Sequence, residues 1–160
     1  MHRIYPKLLF LFLLIATSLM VRLLAGLTLI NLGVAYSSRG QYPQALKFYQ
    51  QALAITREVG NRFVEGLTLS HLGVVYSSQG QYPQALEFFQ QALAITREIG
   101  NRAGEGATLD NLGGVYDNLG QYPQALEFYQ QALAIMRKAG NRIGEGTILN
   151  NLGRVYISQE

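Results

Sequence analysis

The chain has 160 residues, about half of them apolar, with no cysteine, two histidines and a net charge of +3. The missing cysteines exclude a disulfide framework and any thiolate metal site, and His2 and His71 are too few imidazoles for a zinc or iron centre. The charge is no nucleic-acid footprint: Arg3, Lys7 and Arg22 account for it, and from Leu23 to Glu160 ten basic side chains meet ten acidic ones, so no basic face is left to track phosphates.

The first 21 residues stand apart from the rest. Arg3 and Lys7 make a basic opening, and Leu8 to Val21 is an uncharged, mostly apolar run of 14 residues. That is the shape of a signal peptide, and Ala16-Thr17-Ser18 offers a small-x-small cleavage site after Ser18. A membrane span normally needs about 20 apolar residues. Residues 1–21 are therefore expected to be a cleaved signal peptide or an uncleaved anchor inserting through residues 8–21; the third reading is a soluble chain with an unusually apolar first helix. Under either membrane reading the repeats lie on the non-cytoplasmic side, because the basic flank stays in the cytoplasm. The soluble alternative leaves them cytoplasmic. If uncleaved, nothing between Pro6 and Ser38 breaks a helix, and the sequence predicts one continuous helix there with Pro6 in its first turn.

From Arg22 onward the chain repeats with a period of 40. The heptapeptide from Gly40 to Leu46 returns at Gly80 and Gly120, and Gly60-Asn61-Arg62 returns at Gly100 and Gly140. Residues 60–99 and 100–139 share 27 of 40 positions. The units run over about 22–60, 61–100 and 101–140, with a partial unit at 141–160.

Each unit reads as two helices. In the third, helix A is predicted over about Arg102–Asn118, with Leu109, Leu112, Val115, Tyr116 and Leu119 at helical spacing. Gly120 supplies a left-handed stop. Pro123 opens helix B, whose stripe is Ala125, Leu126, Tyr129, Ala132, Leu133 and Met136. Gly140 ends it and Asn141 caps the next helix A. Gly33, Gly73, Gly113 and Gly153 recur inside helix A, where glycine costs about 1 kcal/mol against alanine. A close approach of helix B, with Ala45, Ala85 or Ala125 facing the glycine, would compensate. Arg62, Arg102 and Arg142, each followed three residues on by a glutamate, predict a surface ion-pair ladder aligning adjacent units. The recurrent aromatics, Tyr36, Tyr42, Phe48, Tyr49 and their repeats, fit core packing rather than a platform for stacking bases.

The partial fourth unit carries Ile148, Leu152, Val155 and Ile157 on its helix A. With no helix B after it, that face is expected to be exposed and to support end-to-end self-association, or to continue into a longer array.

Leu112-Gly113, Tyr116, Gly120, Tyr122, Ala125, Tyr129 and Ala132, with their counterparts in the earlier units, resemble the tetratricopeptide repeat pattern. Leu109 stands where that pattern often has tryptophan, and the proline near the end of helix B is absent. The 40-residue unit with its Gly-Asn-Arg-x-x-Glu-Gly junction is similar to the longer subclass seen in Leu-Gly-Asn adaptors and in bacterial arrays joined to caspase-like domains. The resemblance implies an all-α fold, a right-handed solenoid of antiparallel helix pairs: three full repeats and a final unpaired helix, preceded by the apolar N-terminal helix.

It also implies that helix A lines a concave groove for a peptide or helix of a partner protein. One groove register is Asn31, His71, Asn111 and Asn151, and its neighbours include Asp110, Asn150, Asn118 and Ser78. An asparagine side chain carries donor and acceptor together and can pair with a backbone amide of any sequence. No lysine stands at these positions to clamp a C-terminal carboxylate. The chain has no G-x-S-x-G, phosphate loop or H-E-x-x-H, so no catalytic, cofactor or metal residue is predicted. The expectation is a protein-binding module rather than an enzyme, or the repeat region of a longer signalling or protease protein.

Overall fold

A computed structural model of the chain describes residues 5–158. His2 and Arg3, and with them half of the predicted basic opening, lie outside the described residues. Seven helices and no strand are present among the described residues: α1 Tyr5–Ser37, α2 Tyr42–Val59, α3 Arg62–Ser78, α4 Tyr82–Glu98, α5 Arg102–Asn118, α6 Tyr122–Lys138 and α7 Arg142–Ser158. α1 with α2, α3 with α4 and α5 with α6 form antiparallel hairpins. Each second helix also packs on the first helix of the next hairpin, and α1, α3, α5 and α7 line up side by side.

The punctuation between helices is local and physical. Gly40, Gly60, Gly80, Gly100, Gly120 and Gly140 all have φ between 67° and 73°, a conformation that costs glycine nothing and an L side chain about 1–2 kcal/mol. Asn61, Asn101 and Asn141 accept, at 3.0 Å, from the backbone N–H three residues on, which satisfies one free donor at the start of α3, α5 and α7. Proline stands in the first turn of α2, α4 and α6.

The core is two clusters. One centres on Tyr49, Leu69, Leu72 and Val75, the other on Phe89, Leu109, Leu112, Val115 and Tyr129. Fully burying such a side chain stabilises by about 1.5–3 kcal/mol. Tyr36–Phe48, Tyr76–Phe88 and Tyr116–Phe128 stack across the hairpins with centroids 5.2–5.3 Å apart. Leu119, predicted on the inner stripe, is exposed beyond the end of α5.

Three expectations are corrected. The helix A glycines face aromatic rings, not alanines: a Cβ on Gly33, Gly73 or Gly113 would fall 2.5–2.7 Å from the ring of Tyr49, Phe89 or Tyr129. The ion-pair ladder is not superficial on its acidic side. Glu65 and Glu105 are buried, each forked between two guanidiniums: Arg57 and Arg62 at 2.9 and 2.7 Å, Arg97 and Arg102 at 3.0 and 2.6 Å. Burial pushes the Glu105 carboxyl up, but Arg97 and Arg102 together outweigh it and hold it below its usual range. On α7, Ile148, Leu152 and Val155 are buried, because the inner stripe packs on α6 and α5 as in every other unit. The apolar side chains it leaves exposed are Ile143, Leu149, Tyr156 and Ile157.

α1 is one uninterrupted helix through the two segments that the sequence separates. Its side chains from Leu8 to Ile15 are each more than half exposed, while Gly26, Ile30 and Gly33 are buried against the first hairpin. Pro6–Ser37 is long and apolar enough to cross a membrane, a property that a signal sequence shares.

Candidate functional site

The aligned faces of α3, α5 and α7 enclose two adjoining hollows. The first, about 120 Å³, lies between α3 and α5 and is lined by Phe63, Leu67 and Ser70 on one side and Ala107, Thr108 and Asn111 on the other. The second, about 200 Å³, is lined by Val74, Ser77 and Ser78 of α3, Asp110, Asn111, Gly114 and Asn118 of α5, and Asn151 and Arg154 of α7. Phe89 and Tyr129 form its floor. Asn111 belongs to both.

Helical periodicity makes the arrangement inevitable once the helices stack. Positions 107, 111, 114 and 118 are spaced by four and three, so they share one stripe of α5, opposite the core stripe that begins at Leu109 and Leu112. The same stripe changes character along the array. Leu27, Leu67, Ala107 and Thr147 occupy one register; Val34, Val74, Gly114 and Arg154 occupy another. The face is apolar on α1 and α3, small on α5 and polar on α7.

Hydrogen bonds fasten α7 to α5 across the second hollow. Asn151 donates from Nδ2 to Asp110 Oδ1 at 2.9 Å, and Arg154 pairs with Asp117 at 2.6 Å. Burial pushes the Asp110 carboxyl up, opposed by the Asn151 hydrogen bond and by the charge on Arg154.

Of the residues expected in the groove, Asp110, Asn111, Asn118, Asn151 and Ser78 come together in this hollow. The Ser78 hydroxyl donates to the Val74 carbonyl of its own helix. His71 does not line it. Its ring lies parallel to Tyr49 at 5.2 Å, and burial pushes its pKa down. Asn31 is exposed on α1, and Asn150 lies at another depression on α7 with Leu149 and Ile157.

Three contributors escaped the sequence reading: Arg154, Gly114 and the hydroxyl of Tyr129. That hydroxyl is buried and makes no hydrogen bond of normal geometry, and burial, with Asp117 and Asp110 nearby, outweighs the opposing Arg154 guanidinium and pushes its pKa up to about 12. A signal for it was available. Between residues 80–95 and 120–135 the two units are identical except that Tyr129 replaces Phe89.

The sequence model of the tetratricopeptide repeat family matches residues 24–98, 64–138 and 104–160. No curated protein matches the sequence. Among solved structures, BtubC (BKLC) from P. vanneervenii is similar with a TM-score of 0.74 and 22% identity, over 82% of this chain and 55% of that one. RapI in its apo form is similar at 0.78 and 22%, over 84% and 49%. A signal transduction ATPase with numerous domains and a tetratricopeptide repeat sensor, from Pyrococcus horikoshii, is similar at 0.69 and 26%, over 74% and 19%. The chain thus spans about half the length of the first two and a fifth of the third.

Proposed function

From the premise that the chain belongs to the tetratricopeptide repeat family, we propose that it binds a peptide or a helix of a partner protein along the face shared by α1, α3, α5 and α7. The observation that carries this is where two nearly identical repeats differ. Residues 60–99 and 100–139 differ at 13 positions: eight in α3 against α5, three in α4 against α6, and two outside these helices. Helix B keeps all but three of its residues, whereas helix A changes at eight, among them Leu67, Ser70, His71, Val74 and Ser78, which become Ala107, Asp110, Asn111, Gly114 and Asn118 and border the two hollows or adjoin them. A scaffold held constant while one face varies is the pattern of a recognition surface.

Asn111 is the central contact, since it lies where the hollows meet, and Asn118 stands at the polar end of the same stripe. Asn151 keeps its amide oxygen for a ligand while its N–H bonds Asp110. Replacing Asn111 and Asn151 by alanine weakens binding of a peptide partner and leaves the fold intact; unchanged affinity counts against the assignment.

Residues 8–21 are proposed to serve as a membrane anchor or signal, which places the repeats outside the cytoplasm. The exposure of Leu8 to Ile15 supports this. An intact chain that stays in the alkaline-washed membrane fraction would establish the anchor; a chain found only in the soluble fraction, with residues 8–21 still present, would refute both.

A second reading, self-association through α7, draws support from Gly153. No atom lies within 4 Å of a Cβ placed there, whereas Gly33, Gly73 and Gly113 are each covered by a ring. Light scattering across a concentration series decides it: growth in size supports it and a constant monomer removes it.

A further inference from the structure

The second hollow holds a group that packing alone does not require. Tyr129 covers Gly113 just as Phe89 covers Gly73, so phenylalanine suffices for the core. The added hydroxyl is fully buried at the hollow and makes no hydrogen bond of normal geometry, although the Arg154 guanidinium lies near it. Native proteins rarely leave such a group orphaned. Two further exchanges accompany it. Val74 becomes Gly114, which strips the side chain above the hydroxyl: a Cβ on Gly114 would stand 3.7 Å from Tyr129 Oη. Ser70 becomes Asp110, which adds a carboxylate at the rim.

Charge decides what fits. The hollow and its edge carry Asp110, Asp117 and Arg154. Arg154 pairs directly with Asp117 at 2.6 Å and its charge also reaches Asp110 and the Tyr129 hydroxyl, while the one direct hydrogen bond to the Asp110 carboxylate comes from the neutral amide of Asn151. One negative charge is left over, so an anion is disfavoured. An ammonium brings three N–H donors and no acceptor. The carboxylate of Asp110, the oxygen of Tyr129 and the amide oxygen of Asn111 are three acceptors bordering the same space. A guanidinium brings five donors in a rigid plane, more than a hollow of about 200 Å³ with these acceptors can satisfy.

We infer that the hollow between α5 and α7 is a subsite for a primary ammonium, the end of a lysine side chain of the bound peptide, held by Asp110, Tyr129 and Asn111. This rests on the groove reading for the path of the peptide. The ammonium subsite itself is testable without any peptide.

The test uses the full chain, isotope-labelled and held in detergent micelles. Its side-chain amide signals of Asn111 and Asn151 are followed by NMR at constant ionic strength. The probes are n-butylammonium, n-butanol and n-butylguanidinium. The expected result is a saturable shift with n-butylammonium, none with n-butanol, and weaker binding of n-butylguanidinium. Asp110→Asn raises the n-butylammonium dissociation constant roughly tenfold, and Tyr129→Phe about fivefold. Asparagine already stands at the equivalent position 150, and phenylalanine at 89, so either variant can decide alone if the other fails to fold. Equal responses to n-butanol, tighter binding of n-butylguanidinium, or affinities unmoved by both variants overturn the subsite. Those results leave the groove reading standing wherever a peptide still binds and Asn111→Ala weakens it. Loss of that peptide effect, with the n-butylammonium response intact, removes the groove reading alone.

Discussion

The ring of Tyr129 lies across Gly113 so closely that a Cβ on that glycine would stand 2.7 Å from two of its carbons. The hydroxyl of the same ring lies at the floor of the second hollow. One side chain therefore joins the spacing of the hairpin to the chemistry of that hollow.

Gly113→Ala should destabilise. Alanine gains about 1 kcal/mol in helix propensity, but pushing a ring out of a packed core costs about 1–3 kcal/mol. A net loss near 1 kcal/mol is expected in denaturant unfolding. Gly153→Ala meets nothing within 4 Å, so the propensity gain stands alone and the same measurement should show stabilisation of up to about 1 kcal/mol.

Glu105→Gln should cost about 1–3 kcal/mol, because it breaks a buried carboxylate bonded to Arg97 and Arg102. The sign with pH follows from its depressed pKa. Its contribution is complete above the unfolded value of about 4.3 and disappears as pH falls through the lower folded value. The stability gap between wild type and Glu105→Gln should therefore close on acidification, as chemical unfolding from pH 6 to pH 3 would record. Glu98→Gln, at the exposed end of the Arg62 pair, should leave the melting temperature unchanged.

His71 gives a different window. Burial against Tyr49 lowers its pKa, so the unfolded chain takes up the proton first as pH falls through about 6.5. Stability is then lost as pH falls from about 6.5 toward the lower folded value. His71→Asn, which installs the residue of positions 31, 111 and 151, should flatten that slope in a series of melting temperatures.

Asp110→Asn should be neutral or slightly stabilising at pH 7, since burial disfavours the ionised carboxyl more than its partners favour it. A group that costs stability yet lines a cavity is better explained by binding than by folding. Thermal unfolding at pH 7 checks the sign, and a clear loss of stability would show that the carboxylate serves the α5–α7 contact instead.

Much of this was legible in the residues. Gly120, Pro123, Gly140 and Asn141 act within one turn, so they delimit α5, α6 and α7 without reference to anything distant. The limits of the reading lie where geometry joins residues on different helices. Arg97 reaches Glu105 across the Gly100 turn, a pairing set by the angle of that turn and not by helical spacing, so Arg102 alone was visible as a partner. The spacing that makes Ala125 a natural partner for Gly113 does not show that a glycine also admits a ring from the opposing helix, here that of Tyr129. The apolar stripe of α7 is covered by the helix before it, α6, a contact between helices that the spacing within α7 does not reveal. The Tyr129 hydroxyl needed both the stacking of α5 on α6 and the absence of a side chain at Gly114. Neither has a periodic signature.

The central claim, that a guest peptide lies along the stacked first helices, is tested most directly by mapping where it touches. A peptide selected from a random displayed library against the full chain would be titrated into isotope-labelled protein. Binding along the first helices gives the largest chemical-shift changes at Asn111, Gly114, Asn118 and Asn151, with Gln90 and Gln130 on the second helices undisturbed. A footprint centred on Gln90 and Gln130, with the signals of Asn111 and Gly114 unmoved, would contradict it.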